Sequence, residues 1–212
     1  MSISVGPGRY EETVNVFYYR AVEIIGDCSN LAAVEIAAAG VGIVIQDQAI
    51  GIIRCLTITA AVDGAAGIEG RQWAIVDIKR IRFGGFPLGV QIMVQESSRL
   101  TRMPGPAREP VVLVGSGAVV FAKADDGSHL VLDCPVLLEG DGSQSYSHFV
   151  QCLELSVCKM SGFSWSGPNI TGKQFYCDNS DFTQPSGTAP SGYTVGIPGT
   201  GHDNPDSRCK VR

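Results

Sequence analysis

The chain has 212 residues, 44% of them hydrophobic and 17% charged, with 26 glycines, 11 prolines and a formal net charge of -5. That much apolar residue supplies a buried core and excludes a disordered chain, while the acidic balance leaves no basic stripe to neutralise phosphates and so excludes nucleic acid as a partner. No stretch reaches the ~18 apolar residues that span a bilayer, and Met1-Ser2-Ile3-Ser4-Val5 lacks the basic start and apolar run of a signal peptide, so neither a membrane anchor nor a secretory leader is expected.

Valine and isoleucine set among glycine and proline predict short strands joined by tight turns, an all-β chain. The first elements are a strand from Ile3, a Pro7-Gly8 turn, a strand running to Val16, and then Ala21–Gly26. Between Gly42 and Ile92 the sequence repeats. Gly42-Ile43-Val44 returns as Gly67-Ile68-Glu69 and Gly89-Val90-Gln91, after 25 and 22 residues. Arg54-Cys55-Leu56-Thr57-Ile58 returns as Asp77–Ile81 and Arg99–Met103, after 23 and 22 residues. A period of this length, built from alternating strands, is what a coil of a β-solenoid requires, because each coil completes a circuit and lands on its neighbour.

In that register Ile43, Ile68 and Val90 form one inward column, and Cys55, Ile78 and Leu100 a second. Arg54, Asp77 and Arg99 share an outward column in which alternating charge specifies register. Val44 and Met93 also point outward and suit an interface with another subunit.

Downstream, Pro110–Val114, Ala118–Phe121, His129–Leu132 and Phe149–Leu155 continue the alternation after a looser stretch around Pro104-Gly105-Pro106. From Asp178 to Arg212 the composition turns to Pro, Gly, Ser and Thr. The expected organisation is therefore a parallel β-helix over residues 1–177 and a C-terminal tail over 178–212, irregular or packed on a neighbouring chain.

Seven cysteines (Cys28, Cys55, Cys134, Cys152, Cys158, Cys177 and Cys209) are an odd number with no Cys-x-x-Cys pair and no histidine at ligand spacing. No zinc site or other cofactor is expected, and the cysteines read as small buried thiols in a compartment that keeps them reduced. His129, His148 and His202 are scattered, and neither a Gly-x-Ser-x-Gly elbow nor a phosphate-binding glycine loop is present. Paired carboxylates across a groove would suit glycoside cleavage, and Asp125, Asp126, Glu139 and Asp141 are the candidates. Asp125-Asp126-Gly127 and Glu139-Gly140-Asp141-Gly142 are also ordinary turn sequences. Trp73, Tyr146 and Trp165 are the candidates for stacking on sugar rings.

The opening pattern, Ile3-x-Val5-x-Pro7-Gly8-x-Tyr10-x-Glu12-x-Val14-x-Val16 followed by Val22-x-Ile24-x-Gly26, resembles the first coils of the pectin-lyase-like right-handed parallel β-helix superfamily, which includes pectin methylesterases. The Gly-x-Asp-Phe-x-Phe-Gly strand that carries the esterase nucleophile is not matched, since Asp77 lies in Ile75-Val76-Asp77-Ile78 and Asp133 in Val131-Leu132-Asp133-Cys134. With a first coil that starts almost at once, the whole is most similar to the β-helical tail spikes, fibres and surface proteins of tailed bacteriophages. That resemblance implies a non-catalytic structural or adhesion component of a virion, made in the host cytoplasm. It further implies a homotrimer, docked on another virion protein through its N-terminal coil edge and contacting host surface polysaccharide. The alternative it leaves open is a polysaccharide-degrading or de-esterifying enzyme of the same superfamily.

Overall fold

A computed structural model describes residues 1–18, 20–102, 110–114, 117–139, 144–203 and 208–212. Asp141 and the Pro104–Pro106 stretch lie outside the described residues. The chain is a parallel β-solenoid of about seven turns with three faces. The first coil is β1 (Ser2–Ser4), β2 (Gly8–Tyr10) and β3 (Val14–Val16), and the second β4 (Ala21–Ile25), β5 (Val34–Ala38) and β6 (Val41–Ile45). In the third coil a single strand, β7 (Ile50–Ala60), runs through two faces before β8 (Ala66–Gly70), and the fourth repeats this with β9 (Ile75–Phe83) and β10 (Phe86–Val94). The fifth coil is β11 (Arg99–Arg102), β12 (Val111–Leu113) and β13 (Ala118–Ala124), and the sixth is β14 (His129–Leu132), β15 (Pro135–Leu138) and β16 (Ser145–Cys152). The seventh is β17 (Val157–Lys159), β18 (Ser164–Ser166) and β19 (Thr171–Cys177).

Each face is a stack of like strands, and the core is the set of columns they project inward. On the first face Val22, Gly51, Val76, Leu100, Leu130, Cys158 and Phe182 stand in register. On the third face the column is Val14, Ile43, Ile68, Ile92, Ala122, Val150 and Phe175. Alternation of apolar and polar residues therefore builds a continuous interior, because period 2 along each strand is multiplied by stacking across strands. Aromatics fill the later coils: Phe121 lies 4.7 Å from Phe149, and Phe175 stacks on Phe182 at 4.2 Å.

The register differs from the expected one by two residues in places. Arg54 lies beside Lys79, Asp77 between Ile52 and Thr101, and Arg99 between Ile75 and His129, so these three share no column. Val90 stands beside Ala66, and Ile92 takes the place next to Ile68. Cys55 is not in the Ile78 column, which Ile53 occupies. The reason is that a strand pattern slid by two residues keeps every side chain on its own face, so alternation alone does not separate the two registers. The adjacent like charges of Arg54 and Lys79 are compensated by Glu23 at 2.9 Å and Asp77 at 3.1 Å.

Cys55 and Arg80 hold equivalent places in β7 and β9, both in left-handed conformations (φ 62° and 52°), which turn one strand from the first face onto the second. Cys55 is bonded to Cys28, and Cys177 to Cys209, whereas Cys134, Cys152 and Cys158 are buried thiols outside these disulfides. The reading of the cysteines as buried thiols is thus corrected for four of the seven. The pairs form because stacking brings residues 27 and 32 positions apart onto adjacent coils, a proximity that spacing alone does not reveal. Paired thiols also remove the argument for a reducing compartment.

After Cys177 the chain adds β20 (Asp181–Thr183), β21 (Thr194–Val195), β22 (His202–Asp203) and β23 (Lys210–Val211). β20 and β22 extend the first and third faces in parallel, β23 lies on β20, and β21 runs antiparallel to β18.

Candidate ligand-binding corner

Every coil passes from the third face to the first through a short left-handed step. Its residues are Asp47-Gln48, Gln72-Trp73, Glu96-Ser97, Asp126-Gly127, Glu154-Leu155 and, in the last, Asn179. Left-handed backbone costs an L-residue roughly 1–2 kcal/mol, and Asp, Asn and Gly meet it most easily. A backbone ladder offsets the cost: the N–H of Gln48 donates to Gln72 O (2.9 Å), Trp73 to Glu96 O (3.1 Å), Ser97 to Asp126 O (2.9 Å), Gly127 to Glu154 O (2.8 Å) and Leu155 to Asn179 O (2.9 Å). Just inside runs a second ladder, in which the hydroxyls of Ser98, Ser128, Ser156 and Ser180 accept from the backbone N–H groups of Ala74, Ser98, Ser128 and Ser156 at 3.0–3.2 Å.

Three bulky side chains at this corner, Leu155 (φ 62°, 73% exposed) and two aromatics, are not explained by folding, and the aromatics lie close together. Trp73 has φ 66° and is 66% exposed, and Tyr18 has φ 64° and is 65% exposed. A bulky residue held in the left-handed region without burying its ring gains nothing in return from the core, and such outliers concentrate at binding sites. Tyr18 belongs to the first coil and Trp73 to the third. Between them, Asp47, Gln48 and Gln72 complete the walls of a groove of about 400 Å³. Exposed Ile50 and Ile75 continue it onto the first face. The corner thus offers two ring faces, one carboxylate and two amides on a rigid backbone, the composition of a site for a polyhydroxylated ligand.

The other aromatic candidates are elsewhere. Tyr146 is 3% exposed, and its hydroxyl donates to Gln91 Oε1 at 3.3 Å inside the core, where burial pushes its pKa well up. Trp165 is half-buried on the second face, beside Val136. Of the acids, Asp125 and Asp126 lie on the same corner as the groove but two coils beyond Trp73, and Asp125 is paired with Lys123 at 2.7 Å. Glu139 follows β15 at the corner between the second and third faces. Val44 and Met93 do share an outward column, flanking Glu69 on the third face, but Val44 is only 3% exposed.

Sequence reasoning missed Tyr18, Gln48 and Gln72. The signal for Gln72, and for Asp47 beside Gln48, is the recurrence, once per coil, of a polar left-handed residue two places before Ala49, Ala74, Ser98, Ser128 or Ser156, whereas Tyr18 has no such signal. It also missed a hydrogen-bonded chain on the third face. There Ser147 Oγ lies 3.1 Å from His148 Nδ1, and His148 Nε2 lies 3.1 Å from Asp203 Oδ2. With Nε2–H donated to the carboxylate, Nδ1 accepts from the serine. Lys173 approaches Asp203 at 3.5 Å, and the His148 hydrogen bond first, then Lys173, holds the Asp203 carboxyl below its ordinary range. Residues 55 apart meet here because β22 joins the third face. Among the described residues no group of three His, Cys, Asp or Glu is placed to hold a metal ion, and no helix is long and apolar enough to cross a membrane. No protein-family model, curated protein or solved structure matches the chain.

Proposed function

We propose that this chain is a non-catalytic structural and adhesion component of a virus particle, of the kind tailed bacteriophages build from β-helical spikes, fibres and decoration proteins. In this reading it contacts a surface polysaccharide at the Tyr18–Trp73 corner and works as one of three identical subunits. The observation that carries the adhesion reading is the pair of exposed left-handed aromatics framing Asp47, Gln48 and Gln72. A solenoid suits the task because its corner is held by backbone ladders before any ligand arrives, so little ordering entropy is lost on binding. The expected result is retention of the purified chain on immobilised bacterial surface polysaccharide, abolished by Trp73→Ala, together with recovery of the chain in purified virions. A chain retained by no polysaccharide and absent from particles overturns the reading.

A second reading, a de-esterifying enzyme, is favoured by the Ser147–His148–Asp203 chain, whose order is that of nucleophile, base and orienting acid. It predicts release of acetate from O-acetylated polysaccharide, lost in Ser147→Ala. The carboxylate pair of a glycosidase has less support, because Asp125 and Glu139 stand on different corners.

A further inference from the structure

Resting on the adhesion reading, we infer that the ligand of the Tyr18–Trp73 groove is an uncharged glycan lying along the solenoid axis, with about one saccharide unit per coil. The direction follows from the periodicity of the site. Its turn residues are tied coil to coil by Gln48 N–H to Gln72 O and Trp73 N–H to Glu96 O, so equivalent groups repeat at the strand spacing of about 4.8 Å. Tyr18 and Trp73, two coils apart, are separated along the axis by roughly 10 Å. An extended chain of pyranose rings advances by about one strand spacing per unit, half of that separation. Rings stacked on Tyr18 and Trp73 therefore leave an intervening unit over Asp47, Gln48 and Gln72, whose carboxylate and amides exchange hydrogen bonds with its hydroxyls.

The lack of charge follows from what surrounds the groove. The axial corner carries Asp47, Gln72, Glu96, Asp126 and Glu154 at the same position of successive coils, so four of these five positions are acidic. Nearby cations are largely engaged: Arg71 donates to Gln46 Oε1 at 2.8 Å and lies 3.7 Å from Glu69, and Lys123 is held by Asp125. Arg20 lies at the first-coil end, Arg99 lies on the first face beside Ile75, one coil beyond Trp73, and His129 lies one coil further. A carboxylated glycan running along this corner would set its charges against a file of like charges, whereas an uncharged one meets no such repulsion.

The test is titration calorimetry of the whole chain with neutral β-linked hexose oligosaccharides of one to six units and with oligogalacturonates of the same lengths. The expected result is affinity for the neutral series that rises up to three or four units and then levels, with Trp73→Ala and Tyr18→Ala each weakening it by about tenfold or more. Both side chains are exposed, so an unchanged melting temperature is the control for folding. Trp73-dependent binding of the acidic series alone would overturn the uncharged ligand while leaving the adhesion reading standing. Affinity that does not change from one unit to six would overturn the axial course. Binding of neither series, with Trp73-dependent retention on whole surface polysaccharide intact, would also overturn this inference, whereas loss of that retention too would remove the adhesion reading itself.

Discussion

The buried serine file shows how single atoms fix this fold. Ser98, Ser128, Ser156 and Ser180 are all at most 5% exposed, and each hydroxyl accepts from the residue one coil earlier. Removing the Ser128 hydroxyl takes an acceptor from the Ser98 N–H, which retains a 3.2 Å bond to Gln95 O. Because that second bond survives, Ser128→Ala is expected to cost about 1 kcal/mol, the low end of the range for a buried donor, read as a shift of the urea midpoint at constant slope. Gly51 is the complementary case. It occupies an inward position, and a Cβ there would run into the Ile45 side chain. Gly51→Ala is therefore expected to destabilise by about 1–3 kcal/mol through overpacking, again measured by urea unfolding.

At the level of elements, the coil repeat was legible because alternation and period are local properties of the chain. The 25-residue step from Ile43 to Ile68 is visible in the sequence and is the true one. Register beyond it was not legible, since sliding Arg54 from Lys79 to Asp77 alters no face assignment. The site was legible only in Trp73, an aromatic in a polar turn; Tyr18 and Gln72 acquire meaning from stacking, which no single window of sequence contains. The same holds for β22, a two-residue strand made of sequence with no strand signature. It is held by His202 stacked on Phe175 at 4.6 Å and by Asp203 on His148. Asp203 titrates below its ordinary value, so its contribution is present above the unfolded carboxylate pKa of about 3.9 and is lost as pH falls through the lower folded value. Hydrogen exchange at Thr200–Asp203 is expected to quicken relative to the coil core under such acidity. Asp203→Asn should show the faster exchange already at neutral pH and little further change on acidification.

For the whole molecule, the two ends of the stack are finished differently. At the far end Val211 stands over Phe182, and the Cys177–Cys209 bond ties the last segment to the seventh coil. The first coil leaves Met1 80% and Phe17 41% exposed beside a hollow of about 190 Å³ lined by Val14, Val16, Val22 and Ile24. Next to it lie the outer edges of β1, β2 and β3, each paired on one side only. Open parallel strand edges next to apolar surface favour association. The chain is accordingly expected to self-associate through its first coil, with Ile3→Lys combined with Phe17→Lys returning it to 22.4 kDa in light scattering coupled to gel filtration. A wild-type mass near three times that value fits the three-subunit arrangement proposed above, with first coils meeting around a common axis, and twice that value fits end-to-end pairing of two first coils. A charged variant that keeps the wild-type mass would move the contact to a flank, where half-buried Met93 is the candidate. A wild-type mass of one chain across the micromolar range would mean that the first coil covers its own edges, and the subunit contact would have to be abandoned.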